Sequence, residues 1–594
     1  MAAVGILLRH ARILPSPGRR GNMSLGLGWP GGRRRGGPAA SPRLTARPGI
    51  RVSAHRAGAR PANREVCMHP GVRGLVCAAL LALPIAAAPA WAQRALTIGA
   101  QTPPSALDPH YHNTQNNNQV ARMVFEPLFE LDTKAQFQPR LARSMRPVDD
   151  LTWEVKLNTA ARFHDGTPFE AEDVAFTFAR VPTVPNSPAL FTPQVRSIAS
   201  IEVVDPETIL LRTREPNPLM RYDMSGPVIL SRTIHGPNPQ TADFNSGRLM
   251  LGTGPYRFVS WQQGERLELA SNAAWHGGPV EPWDRVLYRF IPQPGARTAA
   301  LLAGEVDLID YVPVQDVPRL EKDRRFALFQ IDSITFVYLA PDAMRETSPF
   351  VTDRQGKPLP ANPLADRRVR QALSLAIPRQ QIAERLYSGL ASPADQFAAP
   401  VAEHRLEGLG PLPHDPARAR ALLAEAGFGQ GFRLTLHGPN GFFPSDDNLL
   451  QAIAQGFSRI GIEAQVQTLP PANLFTRATN RDFSLFMTYF SSYLSLNPLR
   501  QVVMTRDAER GHGPFNRQRY SNPEVDHPLA AALTTMDEAK RKALTQQASR
   551  ALLEDMGVIP VINLRNVWAG RRDRVVYEPS PPNHTEPRLA RPPG

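Results

Sequence analysis

The chain has 594 residues, 21% of them charged, and its 68 basic against 54 acidic side chains give a sequence pI near 10.2. Fourteen of those bases and a single acid, Glu65, lie in the first 92 residues, so the remainder is nearly neutral at +1, and the bulk positive signal of a nucleic-acid binder disappears with that leader. Cys67 and Cys77, the only cysteines, lie there too, which excludes a disulfide downstream; the 502 residues that follow are enough for two or three packed domains held by core burial.

Residues 1–67 are rich in Arg, Gly and Pro and show no apolar period, so they are expected to be a mis-assigned start or a disordered leader. The stretch Gly26-Leu27-Gly28-Trp29-Pro30-Gly31 fits a dinucleotide-binding pattern by chance alone: no strand precedes it and Pro30 interrupts it. From Met68 the sequence MHPGVRGLVCAALLALPIAAAPAWAQ has a basic start, an apolar run and small residues at Ala90 and Ala92, which predicts a secretory signal peptide over 68–92. The run is about 15 residues, short of the roughly 20 that a membrane-spanning helix needs. Cys77 lies inside it and away from the cut, so no lipid anchor is expected. The product is expected to be exported and periplasmic.

Downstream, RALTIGA near 94–100 and LTWEVKL at 151–157 read as strands. His164-Asp165-Gly166 reads as a turn, with 167–170 capping the helix that follows. Gly252 and Gly254 in GTGPY predict a bend before a strand, and DRVLYRF at 284–290 is another strand. RTAALLAG is a short helix ended by Gly304, and TFVYLA at 335–340 is a strand. Asp366 caps a helix with Val369, Ala372, Leu373 and Ala376 on one stripe, Pro378 stops it and opens another, and Gly389 ends that one. Asp415 with Pro416 starts a helix that Gly427 ends. A further helix runs from about Asp447 to Ile460, and IEAQVQT then switches to period two. The Pro-rich loops near 181–193 and 341–363 read as surface excursions, and the tail after Val576 as extended or disordered. Helix and strand alternate throughout, which predicts an α/β fold.

Several of these blocks, ARFHDGTPFEAEDVAFTFAR, LGTGPYRFVSW, RTAALLAGEVDLI, DRRVRQALSLAI and HDPARARALLAEAGF, stand in an order and spacing that resemble the extracytoplasmic solute-binding proteins of family 5, the peptide, nickel and glutathione binders of ABC transporters. The resemblance implies a periplasmic-binding-protein type II fold: two α/β lobes joined by hinge strands, plus an extra domain inserted on the N-terminal side. Lobe I would combine 93–136, 249–338 and 562–594, the extra domain 137–248, and lobe II 339–561, with hinges near TFVYLA and GVIPVINL. It implies capture of a peptide-like or other small organic solute between the lobes, delivery to ABC permease subunits in the inner membrane, a monomer, no cofactor and no enzymatic activity. Closure would draw on contacts made only in the closed state.

Two polar–aromatic loops are the candidate contacts. HYHNTQNNNQ offers Tyr111, His112, Asn113 and Asn116, and TYFSSYLSLNP offers Tyr489, Ser492, Tyr493 and Asn497. From Phe483 to Thr505 there is no carboxylate, where peptide-binding relatives pair the ligand's ammonium, so the resemblance points away from plain free-amino peptides. A metal or metallophore cargo is the alternative, prompted by His110 and His112, though two ligands without a third are few. An exported hydrolase is the other rival; downstream of residue 92 there is no GxSxG, no HExxH and no cysteine nucleophile.

Overall fold

The computed structural model describes residues 94–594 apart from 135, 279 and 280; the signal peptide and leader expected over 1–92 lie outside the described residues. The largest element is a twelve-stranded sheet. At its centre two long antiparallel strands, Phe326–Pro341 and Ile559–Arg571, pair along most of their length. On one side lie Leu308–Ile309, Ala95–Ala100, Arg285–Phe290, Arg266–Ser271 and Tyr256–Gln262; on the other lie Leu485–Ser491, Arg433–Pro439, Glu463–Leu469 and Val351–Thr352. TFVYLA lies inside the first of these strands and IPVINL inside the second, where the resemblance placed the hinge strands.

Between the lobes the ladder breaks. Asp332 pairs with Arg565 and Phe336 with Asn563, so Ser333, Ile334 and Thr335 stand opposite Leu564 alone. Their backbone groups find other partners: Ile334 N donates to the Pro581 carbonyl at 3.3 Å, Ser492 N donates to the Ile334 carbonyl at 3.0 Å, and Thr335 N donates to Ser333 Oγ at 3.1 Å. The irregularity therefore ties together the first lobe, the second lobe and the C-terminal tail.

The helices start and stop where their caps dictate. Asp366 Oδ1 accepts from Arg368 N at 2.8 Å at the head of Arg367–Ala376, and Asp415 Oδ1 accepts from Arg418 N at 2.9 Å at the head of Pro416–Glu425. Glu170 and Asp173 form a capping box on Ala171–Arg180. That helix packs on a separate four-stranded sheet, Ala142–Asp149, Thr152–Leu157, Thr208–Thr213 and Ile198–Asp205, whose core holds Leu141, Val155, Val174 and Leu211. Residues 230–250, expected within the extra domain, instead contribute Leu230, Phe244, Leu249 and Met250 to the core around Leu96, Tyr256 and Tyr288. Gly252 and Gly254 lie against the last turn of Gln115–Val124. A Cβ on Gly252 would overlap the Val124 carbonyl, and one on Gly254 would stand 2.7 Å from the Met123 carbonyl.

The tail after Val576 corrects the reading that it is extended or disordered. Val576–Tyr577 pairs with Ala590–Arg591, and Trp283 Nε1 donates to the Ala590 carbonyl at 2.8 Å. Arg588 lies 2.7 Å from both Glu130 and Glu586, a charge cluster that holds the Glu586 carboxyl far below its ordinary range against the opposing effect of burial. Composition gave no hint of this because the partner, Glu130, is more than four hundred residues away.

Candidate interlobe cleft

Where the crossing strands part, a cleft partly open to solvent lies between the lobes. Its second-lobe wall is aromatic. Tyr489, on strand Leu485–Ser491, stacks on Phe442 with ring centroids 4.5 Å apart and meets Phe443 edge-on at 5.8 Å. Tyr387 stands beside them, fixed by a hydrogen bond from its hydroxyl to the Pro444 carbonyl at 2.8 Å. Burial pushes the Tyr489 hydroxyl pKa up, so the ring stays neutral.

The opposite wall is built by the first lobe and the tail, and it is rich in amides: Gln115, Asn566 and Asn583 line it with Tyr311, Thr335 and Arg565. Gln115 Nε2 donates to the Asn583 carbonyl at 2.9 Å, and Asn566 Nδ2 donates to the Pro581 carbonyl at 2.8 Å. Thr335 and Ser491 hydroxyls, one from each lobe, are 2.8 Å apart. Arg565 pairs with Asp332 at 2.8 Å, and its backbone N–H donates to the Leu390 carbonyl at 3.0 Å. Behind this wall Asp310 is buried, its pKa raised to about 6 by burial, and it accepts from Gln101 N at 2.8 Å. None of the residues lining the cleft is acidic.

Of the eight residues expected to contact a solute, Tyr489 lines this cleft. The other seven are not among the residues that line it. Asn116 Nδ2 donates to the Pro103 carbonyl at 2.6 Å, Asn113 Oδ1 accepts from Asn118 at 3.0 Å, and the Tyr111 carbonyl accepts from Ser187 at 2.6 Å. His112 Nδ1 lies 3.0 Å from Ser105 Oγ. The loop is polar because it stitches itself and its neighbours together; the residue it sends to the cleft is Gln115. In the second-lobe loop, Asn497 Nδ2 donates to Ser492 Oγ at 3.3 Å, and Tyr493 is buried with its hydroxyl unpartnered. One carboxyl is brought to this loop by the fold: Asp223, held by Asn217 Nδ2 at 2.8 Å and facing Arg500, has its pKa pushed up to about 7 by burial.

His110 does not join His112 in a ligand set. It is fully buried, Nε2 against the Val228 carbonyl at 2.8 Å, with its pKa lowered to about 3 by burial and by Arg180. Among the described residues no group of three or more His, Cys, Asp or Glu side chains is placed to hold a metal ion. His164 is likewise structural: its Nε2 lies 3.0 Å from the Gly254 carbonyl, pinning the HDG turn to the glycine bend. Sequence reasoning missed Tyr311, Tyr387, Phe442, Asn566 and Asn583 as cleft residues; Tyr387 and Asn583 lie in segments read only as helix and tail, and the paired aromatics Phe442-Phe443 beside Gly441 were the local signal that could have been read.

The family model for bacterial extracellular solute-binding proteins, family 5 Middle, matches residues 136–507. The glutathione-binding protein GsiB of Pectobacterium atrosepticum is 27% identical over 496 residues, covering 81% of this chain and 91% of the relative. Among solved structures, the ABC transporter substrate-binding protein CtaP of Listeria monocytogenes superposes with a TM-score of 0.71 at 21% identity, over 84% of this chain and 99% of that one. NikZ of Campylobacter jejuni, in complex with Ni(L-His), superposes with a TM-score of 0.65 at 23% identity, over 81% of this chain and 94% of NikZ.

Proposed function

The chain belongs to the bacterial extracellular solute-binding proteins of family 5, and from that membership we propose that it is the periplasmic receptor of an ABC importer, taking a small, non-cationic organic or peptide-like solute into the interlobe cleft and presenting it to the permease. The observation that carries the choice of solute is the lining of the cleft: aromatic rings on one wall, amides and Arg565 on the other, and no acid. An ammonium group enclosed there would meet no counter-charge, at a cost of several kcal/mol, out of the about 8 kcal/mol that a micromolar affinity represents. Asp223 does not remedy this, because it does not line the cleft and already faces Arg500. The family is one of binding proteins, and nothing in the cleft pairs a nucleophile with a base.

GsiB relatives bind glutathione, which makes a peptide-like cargo the natural first trial. Thermal shift with N-acetylated dipeptide amides and with the corresponding free-amino dipeptides tests the charge argument: the blocked series is expected to stabilise the protein more. Strong stabilisation by the simple dipeptides would overturn it. Mass spectrometry of ligand retained through gentle purification would then give the cargo directly. Nickel-dependent stabilisation that is lost in His112→Ala would favour the metal reading instead.

A further inference from the structure

The C-terminal tail supplies a group whose chemistry the fold leaves unused. Asn583 is 6% exposed, lines the cleft, and its carboxamide oxygen has no hydrogen-bond partner. Everything around it is fixed. Its backbone sits in the left-handed region at φ 62°, its N–H donates to the Ser580 carbonyl at 3.0 Å, and its own carbonyl accepts from Gln115. On one side, the Pro581 carbonyl accepts from Asn566 Nδ2 and from Ile334 N. On the other, Thr585 is held three ways: its N–H donates to Gln119 Oε1 at 2.9 Å, its hydroxyl accepts from Trp568 Nε1 at 2.9 Å, and its carbonyl accepts from the Tyr288 hydroxyl at 2.5 Å. The backbone of this segment is thus tied at both ends, and the side chain nearest its carboxamide is Tyr311 of the same cleft.

A buried acceptor without a donor is costly, and native structures satisfy nearly all of them with protein, water or ligand. The other amides of this wall already donate to the tail, and Thr335 is paired with Ser491, which leaves Asn583 Oδ1 as an acceptor without a partner in the lining of the cleft. We propose that Asn583 is a specificity-determining residue of the cleft: its carboxamide oxygen accepts a hydrogen bond from an uncharged N–H or O–H of a solute whose flat apolar part lies on the Tyr489 wall. The solute class is therefore a neutral, amide- or hydroxyl-bearing molecule with an aromatic or similarly flat body. This rests on the interlobe cleft being the solute site.

Calorimetry with two probes tests it: N-acetyl-L-phenylalaninamide, and the methyl ester of N-acetyl-L-phenylalanine, which lacks the terminal N–H₂. The wild-type protein is expected to bind the amide about ten-fold more tightly, the discrimination worth one good hydrogen bond to a buried acceptor. Asn583→Gly keeps the left-handed backbone without strain and removes the carboxamide, and in it the two probes should bind alike. Asn583→Asp keeps an acceptor and should keep the preference for the amide. An unchanged ratio in Asn583→Gly, equal binding of both probes by the wild type, or binding of neither at millimolar concentration overturns the inference. Tyr489→Ala separates it from the reading it rests on. If that variant weakens both probes and Asn583→Gly leaves the ratio intact, this inference fails alone; if Tyr489→Ala affects neither, the cleft is not the solute site and both fail.

Discussion

The two walls of the cleft are made from different material and are held in place differently. The second-lobe wall is a stack of rings, Tyr489 on Phe442 with Phe443 at its edge, carried on a strand and a loop of one compact lobe. The opposite wall is a set of amides from segments near 115, 566 and 583, assembled by hydrogen bonds from parts of the chain that are hundreds of residues apart. Aromatic area gives affinity that tolerates many solutes, whereas fixed amide groups discriminate by geometry. Under the proposed function, grip falls to one lobe and selection to the other.

The largest expected effect concerns what holds the amide wall. Arg588→Ala removes the cation between Glu130 and Glu586 and should cost about 3 kcal/mol in denaturant unfolding, since it leaves the buried Glu586 without its arginine while Glu130 keeps Arg140. The same variant should raise hydrogen exchange around 578–589 well above that around 433–439. Equal protection of both regions would break the claim that the amide wall depends on the tail's charge cluster. Next comes Tyr489→Ala, expected to weaken cargo binding by about 2 kcal/mol, roughly thirty-fold, while Gln115→Ala weakens it by less than ten-fold. Calorimetry that reversed that order would exchange the roles of the two walls.

A smaller effect asks whether a charge reaches the acid-free cleft. Asp223 has a folded pKa raised from 3.8 to about 7, so its contribution to stability is full below about pH 4 and is lost as pH rises toward 7. Asp223→Asn should therefore flatten part of the decline in melting temperature between pH 4 and 8 and add about 1–2 kcal/mol at pH 8. A variant that is less stable than wild type at pH 8 would show that the carboxylate is welcome there, and that the loop near 488–498 has a charge partner after all. The smallest effect is expected from Asn116→Ala. Its amide is spent on the Pro103 carbonyl, so the change should alter cargo affinity less than two-fold and cost about 1 kcal/mol of stability.

Legibility in the sequence followed the range of the interactions. Asp415-Pro416 and Asp366 announced their helices because a cap is a contact between residues two or three apart. The strand in IEAQVQT and those in TFVYLA and VIPVINL announced themselves by period and β-branching, since burial of one face or both is written along a few residues. The loop at 110–119 was visible as polar, but polarity does not say which side chain reaches the cleft; Gln115 and Asn116 are adjacent, of like chemistry and each donate to a backbone carbonyl, yet Gln115 lines the cleft and Asn116 does not. Tyr489 lines the cleft and stands where the family resemblance places an aromatic. Tyr387 and Asn566 had no such guide, and the tail's Pro-rich composition pointed the wrong way.

What the chain alone determined is therefore the inventory of elements, the α/β rhythm, the shared pair of long apolar strands and, through five ordered blocks, the family. These depend on contacts within a turn or a strand, or on matches preserved block by block. Tertiary structure decided the cleft itself: which of the polar residues line it, that no acid does, and that Asn583 of the tail is brought to one side. Those depend on pairings such as Glu130 with Arg588 and Gln115 with Asn583, where neither partner carries a local mark of the other and only the folded path brings the two within reach.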